Sequence, residues 1–253
     1  MRARRWLRPL IPAESGQWRS AIKQYIQYWR DWQRYRRLPG SEALALRDAY
    51  PCLYDNNART RVHPSYFHQD IWALGRLIER RPSLHVDVGS NHTWVGMVTT
   101  LTRVVFVDIR PLRARVRCLL PVSGSIIRLP FADDAVASLS CLHVVEHIGL
   151  GRYGDPLDPA GTRKAVAELK RVLAPGGHLY LSLPLGRPAV HFNAHRIHSP
   201  GQILDYTQGL ELASFSSVKQ GAYHPVADLS DVADGGYAFG LFDFLKPEPA
   251  SIA

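Results

Sequence analysis

The sequence predicts an α/β fold built on a mostly parallel sheet with helices on both faces. Three observations carry that prediction. Short apolar runs end in Gly or Asp, helix-period segments of about ten to eighteen residues separate them, and a Gly/Asp-rich connection joins two further strand-like runs near residue 245.

Taken in order, residues 1–40 form a basic arm. Trp18, Ile22, Tyr25, Trp29 and Trp32 recur at spacings of 4, 3, 4 and 3, the stripe of an amphipathic helix that Pro39 and Gly40 stop near Leu38. The arm holds ten Lys and Arg against two acids, so it carries +8 of the formal +9 and leaves the body of the chain near neutral. Three roles suit it: packing on the rest of the protein, lying on an anionic membrane surface, or contacting nucleic acid. Residues 41–82 read as a helical lead-in, with YFHQDIWALGRLIERRPS from Tyr66 a helix that ends before Pro82 and roofs a pocket or simply packs. Residues 83–253 make the main domain. Its strand candidates are LHVDVG, RVVFVDIRP, AVASLSCLHVV and GHLYLSLP, with helices HTWVGMVTTL and GTRKAVAELKRVL between them. LELASFSSVKQ and YAFGLFDFLK follow as an antiparallel edge pair.

Composition narrows the class. Hydrophobic residues at 46% and charged residues at 21% exclude a disordered, collagen-like or coiled-coil chain. Three cysteines, Cys52, Cys118 and Cys141, form no C-x-x-C pair, which argues against a disulfide framework or thiolate zinc and fits a reducing, cytoplasmic setting, peripheral to a membrane if the arm binds one. WLRPLIP is too short and interrupted for a signal core, and no apolar run is long enough to span a bilayer.

In an open sheet of this kind ligands bind beyond the carboxyl ends of the strands, where strand order reverses. Gly89 in the turn D-V-G-S-N-H-T permits close backbone approach, and Asp108 at the end of the second strand is placed to accept hydrogen bonds from ribose hydroxyls. A helix-capping role suits Asp108 equally.

LPFADDAVASLSCLHVVEHI followed by AELKRVLAPGGHLYLSLP resembles the class I S-adenosylmethionine-dependent methyltransferases, over residues 66–245, and Arg171 to Gly177 (RVLAPGG) is the most specific part. VDVGSN, VDIRPL, CLHVVEHIGLGRYGDPLDPAGT and FNAHRIHSP together look like a methyltransferase-like family recorded as a domain of unknown function. The resemblance implies a Rossmann-like, seven-stranded sheet with an antiparallel last strand and S-adenosyl-L-methionine across its carboxyl edge. Asp87 and Gly89 would then sit under the methionine part with Ser90 and Asn91 beside them, Asp108 would hold the ribose, Ile109 and Ser125 would meet the adenine, and His143 would be a further cofactor contact. The pattern's second and third glycines are Asn91 and Thr93 here, its acid before LPF is replaced at Gly124-Ser125, and its aspartate after LPF is Ala137.

Two loops offer acceptor chemistry. His147 and His195 are the expected general bases, with Glu146, Asp155 or Asp158 orienting an imidazole. Glu146 and His147 also suit a role in closing the loop. Arg152 and Arg196 are expected at an anionic substrate group, with Asn193 and His198 beside them, although His198 before Ser199-Pro200 also fits a helix entrance. His191, His195, His198, Asp155 and Asp158 are chemically acceptable metal ligands, but they lie in loops without helical register and no metal is expected. No N/D-P-P-Y/F motif follows the fourth strand, which points to oxygen rather than an amino group as acceptor. The expected activity is O-methylation of a small molecule or glycan. A nucleic-acid methyltransferase and a non-catalytic module of the same fold are the rivals.

Overall fold

A computed structural model describes residues 18–56, 58, 60, 62–110, 112–233 and 236–249. The chain divides into two units, Met1–Val62 and His63–Ala253.

In the first unit the 4-3-4-3 stripe forms helix α1 (Trp18–Tyr35). Its aromatics gather along one side: Tyr28 and Trp29 ring centres are 5.3 Å apart and Trp29 and Trp32 are 5.6 Å apart. Ile22 and Ile26 stay exposed. Expectations for residues 1–17 lie outside the described residues. Among the described residues, no helix is long and apolar enough to cross a membrane. Between residue 41 and Pro64 the only helix among the described residues is one 3-10 turn, Leu46–Asp48, so the expected helical lead-in begins at Pro64.

In the second unit, helix α2 (Pro64–Arg80) starts with Pro at its first position, where the missing N–H costs nothing, and ends with Arg81 in the left-handed region. Then come β1 (Leu84–Val88), α3 (His92–Val98), β2 (Arg103–Asp108), β3 (Leu119–Ser123), β4 (Val136–Leu142), α4 (Gly161–Val172) and β5 (Leu173–Leu185). A small separate hairpin, β6 (Ala189–His191) with β7 (His195–Ile197), follows. α5 (Pro200–Tyr206), β8 (Glu211–Lys219), β9 (Ala222–His224), α6 (Ser230–Ala233) and β10 (Ala238–Leu245) complete the unit. Ser199 and Gln202 form a reciprocal capping box at the start of α5, as the Ser-Pro pair suggested.

The main sheet has the order β3-β2-β1-β4-β5-β10-β8-β9. β1 to β5 run parallel, and β10 is antiparallel to both β5 and β8. The Rossmann-like fold is therefore as expected, with eight strands rather than seven because β9 folds back onto β8. The expected edge pair does form, but β10 is an interior strand and the edge belongs to β9. Period-2 alternation on β5 explains how the sheet is covered. Leu179, Leu181, Leu183 and Leu185 enter one core with Ala165, Val166 and Leu169 of α4, while Tyr180 enters the other with Trp72 and Leu77 of α2 and Trp94 of α3.

The RVLAPGG signature has a structural cause. The Arg171 guanidinium donates to the Leu129 and Phe131 carbonyls at 3.3 and 3.0 Å and to Asp133 at 2.6 Å, and Glu168 holds both Arg171 and the Leu129 N–H. A single planar donor fork thus ties α4 to the LPFADD turn, and that fixes where β4 begins.

Candidate active site

Strand order reverses between β1 and β4, and a cleft opens over the carboxyl ends of β1, β2 and β4. Its floor is a buried polar network. Asp87 accepts from the Ser90 N–H at 3.1 Å, from Trp94 Nε1 at 3.0 Å and from the Ser140 hydroxyl. His85 sits below, 2.8 Å from both Ser138 and Ser140. Because Ser140 gives its one proton to Asp87, His85 Nε2 donates to Ser140 and Nδ1 accepts from Ser138, which defines a neutral ring. Burial pushes His85 down to about 3, in keeping with that tautomer. Burial pushes the Asp87 carboxyl up to about 6, and its three donors hold back a larger rise.

Above this floor Gly89 turns the chain at φ +71°, and a Cβ there would lie 3.0 Å from Val144, so a side chain would crowd the cleft base. Asn91 caps α3 by accepting from the Thr93 N–H at 2.8 Å. That accounts for an Asn where the methyltransferase pattern has Gly.

The cleft has two chambers. The first, open to solvent, is walled by Ile109, Ile126, Ile127, Val144 and Ile148, with Gly124, Ser125 and Asp108 also lining it. Asp108 Oδ1 accepts from the Arg110 N–H at 2.6 Å and meets Arg110 Nε at 3.5 Å, so both contacts fall on one oxygen and the other is free for a ligand among the described residues. The loop opposite is held by two interlocked glycines. A Cβ on Gly149 would lie 2.1 Å from the Asp158 carbonyl, and one on Gly161 would lie 2.1 Å from the Ile148 carbonyl. Asp155 bonds the Gly149 N–H at 2.6 Å and the Tyr153 N–H at 3.3 Å. It therefore shapes this loop and orients no imidazole.

The second chamber holds the titratable groups. Glu146, 1% exposed, faces His143 Nδ1 at 3.0 Å and His147 Nε2 at 3.8 Å through the same oxygen, Oε1. Burial raises the Glu146 carboxyl, but the His143 hydrogen bond and the nearby imidazoles outweigh it, and the group ends below its ordinary range. Glu146 Oε2 and His143 Nε2 are buried without partners. His143, at φ +54°, is held edge-on between Tyr66 and Phe239. His147 Nδ1 donates to the Ala194 carbonyl at 2.6 Å, so in the neutral ring Nε2 carries the free lone pair. Burial and neighbouring His191 lower His195, which lines the same chamber.

The structure thus gathers Gly89, Ser90, Asn91, Asp108, Ile109, Ser125, His143, Glu146, His147, Arg152, Asp155 and His195 around one cleft. Four expected residues fall outside it. Asp87 lies under the floor. Asn193 is exposed at the tip of the β6–β7 hairpin. Arg196 spends its guanidinium on the Ile148 and Asp158 carbonyls, and with buried His198 it lines a different surface groove. Adjacent residues on a strand point to opposite sides, so His195 and Arg196 of β7 could not both face the cleft. Sequence reasoning missed Ile126-Ile127, whose adjacent apolar pair ahead of LPF was the available signal, and the Arg110–Tyr153 stack at 4.3 Å, which no spacing reveals.

The family described as "Caenorhabditis protein of unknown function, DUF268" matches residues 128–228. Among solved structures, the chain is similar to the [4+2]-cyclase SpnF at 14% identity, covering 77% of this chain and 86% of that one, with a TM-score of 0.57. It is also similar to the N-methyltransferase NodS from Bradyrhizobium japonicum WM9 in complex with S-adenosyl-l-homocysteine, at 14% identity, 87% and 99% coverage and a TM-score of 0.52. No curated protein matches the sequence. These likenesses show the fold.

Proposed function

We propose that this chain is an S-adenosylmethionine-dependent methyltransferase acting on a hydroxyl of a small molecule or glycan. One observation carries the reading: a lone-pair-bearing imidazole nitrogen, His147 Nε2, belongs to the same cleft as a glycine-floored strand turn and a strand-end carboxylate with a free oxygen. Fold alone does not choose the reaction, since one structural neighbour is the [4+2]-cyclase SpnF. The argument therefore rests on the site.

The residues that line the cleft suit the cofactor chemically. Asp108 would bind the ribose hydroxyls, the isoleucine walls of the first chamber would sandwich the adenine above Ser125, and the Gly89 turn would admit the methionine end. When bound, S-adenosylmethionine supplies a methyl on a sulfonium, which leaves S-adenosylhomocysteine on transfer. His147 Nε2 takes the proton of the acceptor hydroxyl, the Ala194 carbonyl fixes the ring, and Glu146 at 3.8 Å stabilises the imidazolium that forms. Positioning supplies about 7–11 kcal/mol and the base about 3–5 kcal/mol, so cleft geometry matters more than the base. The basic arm would bring the enzyme to an anionic membrane surface where a lipid-linked acceptor resides.

Calorimetric titration of the full-length protein with S-adenosylmethionine and S-adenosylhomocysteine tests the reading. Binding is expected, and Asp108→Ala should weaken it about 10- to 100-fold through loss of charged hydrogen bonds. No heat at millimolar ligand would leave a non-catalytic module, and unchanged affinity in Asp108→Ala would remove the ribose assignment. A product methylated on a nucleic-acid base would replace the hydroxyl acceptor.

A further inference from the structure

We propose that the acceptor carries a phosphoryl group, held by Arg113 and Arg152 at the mouth of the second chamber. This rests on the methyltransferase reading and names its substrate class.

The charge arrangement points there. Arg110 and Arg113 reach the chamber from the loop after β2, and Arg152 reaches it from the loop after β4. The chamber lining contains two acids. Asp108 is engaged by Arg110 at 3.5 Å and Glu146 by His143 at 3.0 Å. Among the described residues no carboxylate pairs with Arg113 or Arg152, and the hydrogen bond of Arg152 to an oxygen goes to the Ala194 carbonyl. Arg110 and Arg152 also stack on one aromatic ring, with guanidinium carbons 4.3 and 5.1 Å from the centre of Tyr153. That shared ring holds the loop after β2 against the loop after β4, so an anion on Arg113 and Arg152 would bridge two loops already in contact. Planar guanidinium forks match phosphoryl oxygens in geometry as well as charge. The placement also suits the chemistry: Arg152 Nη1 lies 3.4 Å from the His147 ring, so a phosphoryl group on Arg152 would set the rest of the acceptor beside the base.

Inorganic pyrophosphate is the probe, titrated into the full-length protein at low and high salt. It is expected to bind, to weaken as salt rises, and to lose at least fivefold in affinity in Arg113→Ala and in Arg152→Ala. Arg103→Ala, exposed at the amino end of β2, should bind as wild type. Absent binding, or equal loss in all three variants, overturns the proposal. Parallel titration with S-adenosylhomocysteine keeps the two readings apart, because pyrophosphate binding without it would uphold the anion site and sink the methyltransferase assignment. A single-stranded RNA 20-mer that binds through the same arginines more tightly than pyrophosphate would overturn a small-molecule acceptor.

Discussion

Asp87 on β1 and Glu146 in the turn just beyond the neighbouring strand β4 are buried carboxylates, each 1% exposed, and their surroundings differ sharply. Asp87 has three donors and every one of its contacts closes within the protein. Glu146 shares one oxygen between two imidazoles and leaves the other bare, and Nε2 of its partner His143 is bare as well. A saturated network sets architecture, whereas an unsaturated one retains capacity for a ligand. Substitutions under the first region should then register in stability and those in the second in turnover.

The largest effect tests the saturated side. Asp87→Asn keeps the shape but removes the negative charge and faces Trp94 and Ser140 with a donor, and urea unfolding should show a loss of about 3–5 kcal/mol. Stability near wild type would place Asp87 in the functional cleft after all. His147→Ala should lower kcat about 10²–10⁴-fold with unchanged cofactor affinity and near-normal stability, measured on whatever acceptor supports turnover. Collapse of cofactor binding would instead make the ring a loop-closing strut.

His198 sharpens the contrast, because it too has a buried bare nitrogen yet lies outside the cleft. Burial pushes it down to about 4, below the ordinary histidine range, so it gains a proton on unfolding. The unfolded chain then binds more protons between about pH 6.5 and 4, and stability falls as pH drops through that window. His198→Gln should flatten this acid limb by about 1–2 kcal/mol without touching turnover, and an unaltered pH profile would contradict the assigned cause. The smallest effect belongs to Glu146→Gln, which keeps the contact to His143 and should change stability by under about 1 kcal/mol, since Oε2 has no partner to lose. A loss above about 2 kcal/mol would show Glu146 to be as structural as Asp87.

How much of this was legible follows from the range over which each residue acts. RVLAPGG and LPFADD announced a fold because Arg171 physically joins them, and Asp108 was readable because a strand end is a position fixed by local pattern. β3 escaped notice because Pro121 interrupts a short, half-exposed edge segment, and β9 because three residues show no period. That the Asp87 carboxylate is spent within the protein was not legible, because its partners Ser140 and Trp94 sit on separate elements and only the fold brings them to it. Arg196 was misassigned for a similar reason: the carbonyls that satisfy it lie on a loop nearly forty residues or more away in the chain.

The interior place of β10 has a bearing on how the molecule comes into being. β5 and β8 share no ladder; each is zipped to β10 instead, over eight residues on either side. On a ribosome, the segment bearing β8 must therefore wait as a loose flank until residue 245 has emerged, with its strand edge open to other chains. An open strand edge is a template for clumping during that interval, and a truncation before Ala238 would leave it open permanently.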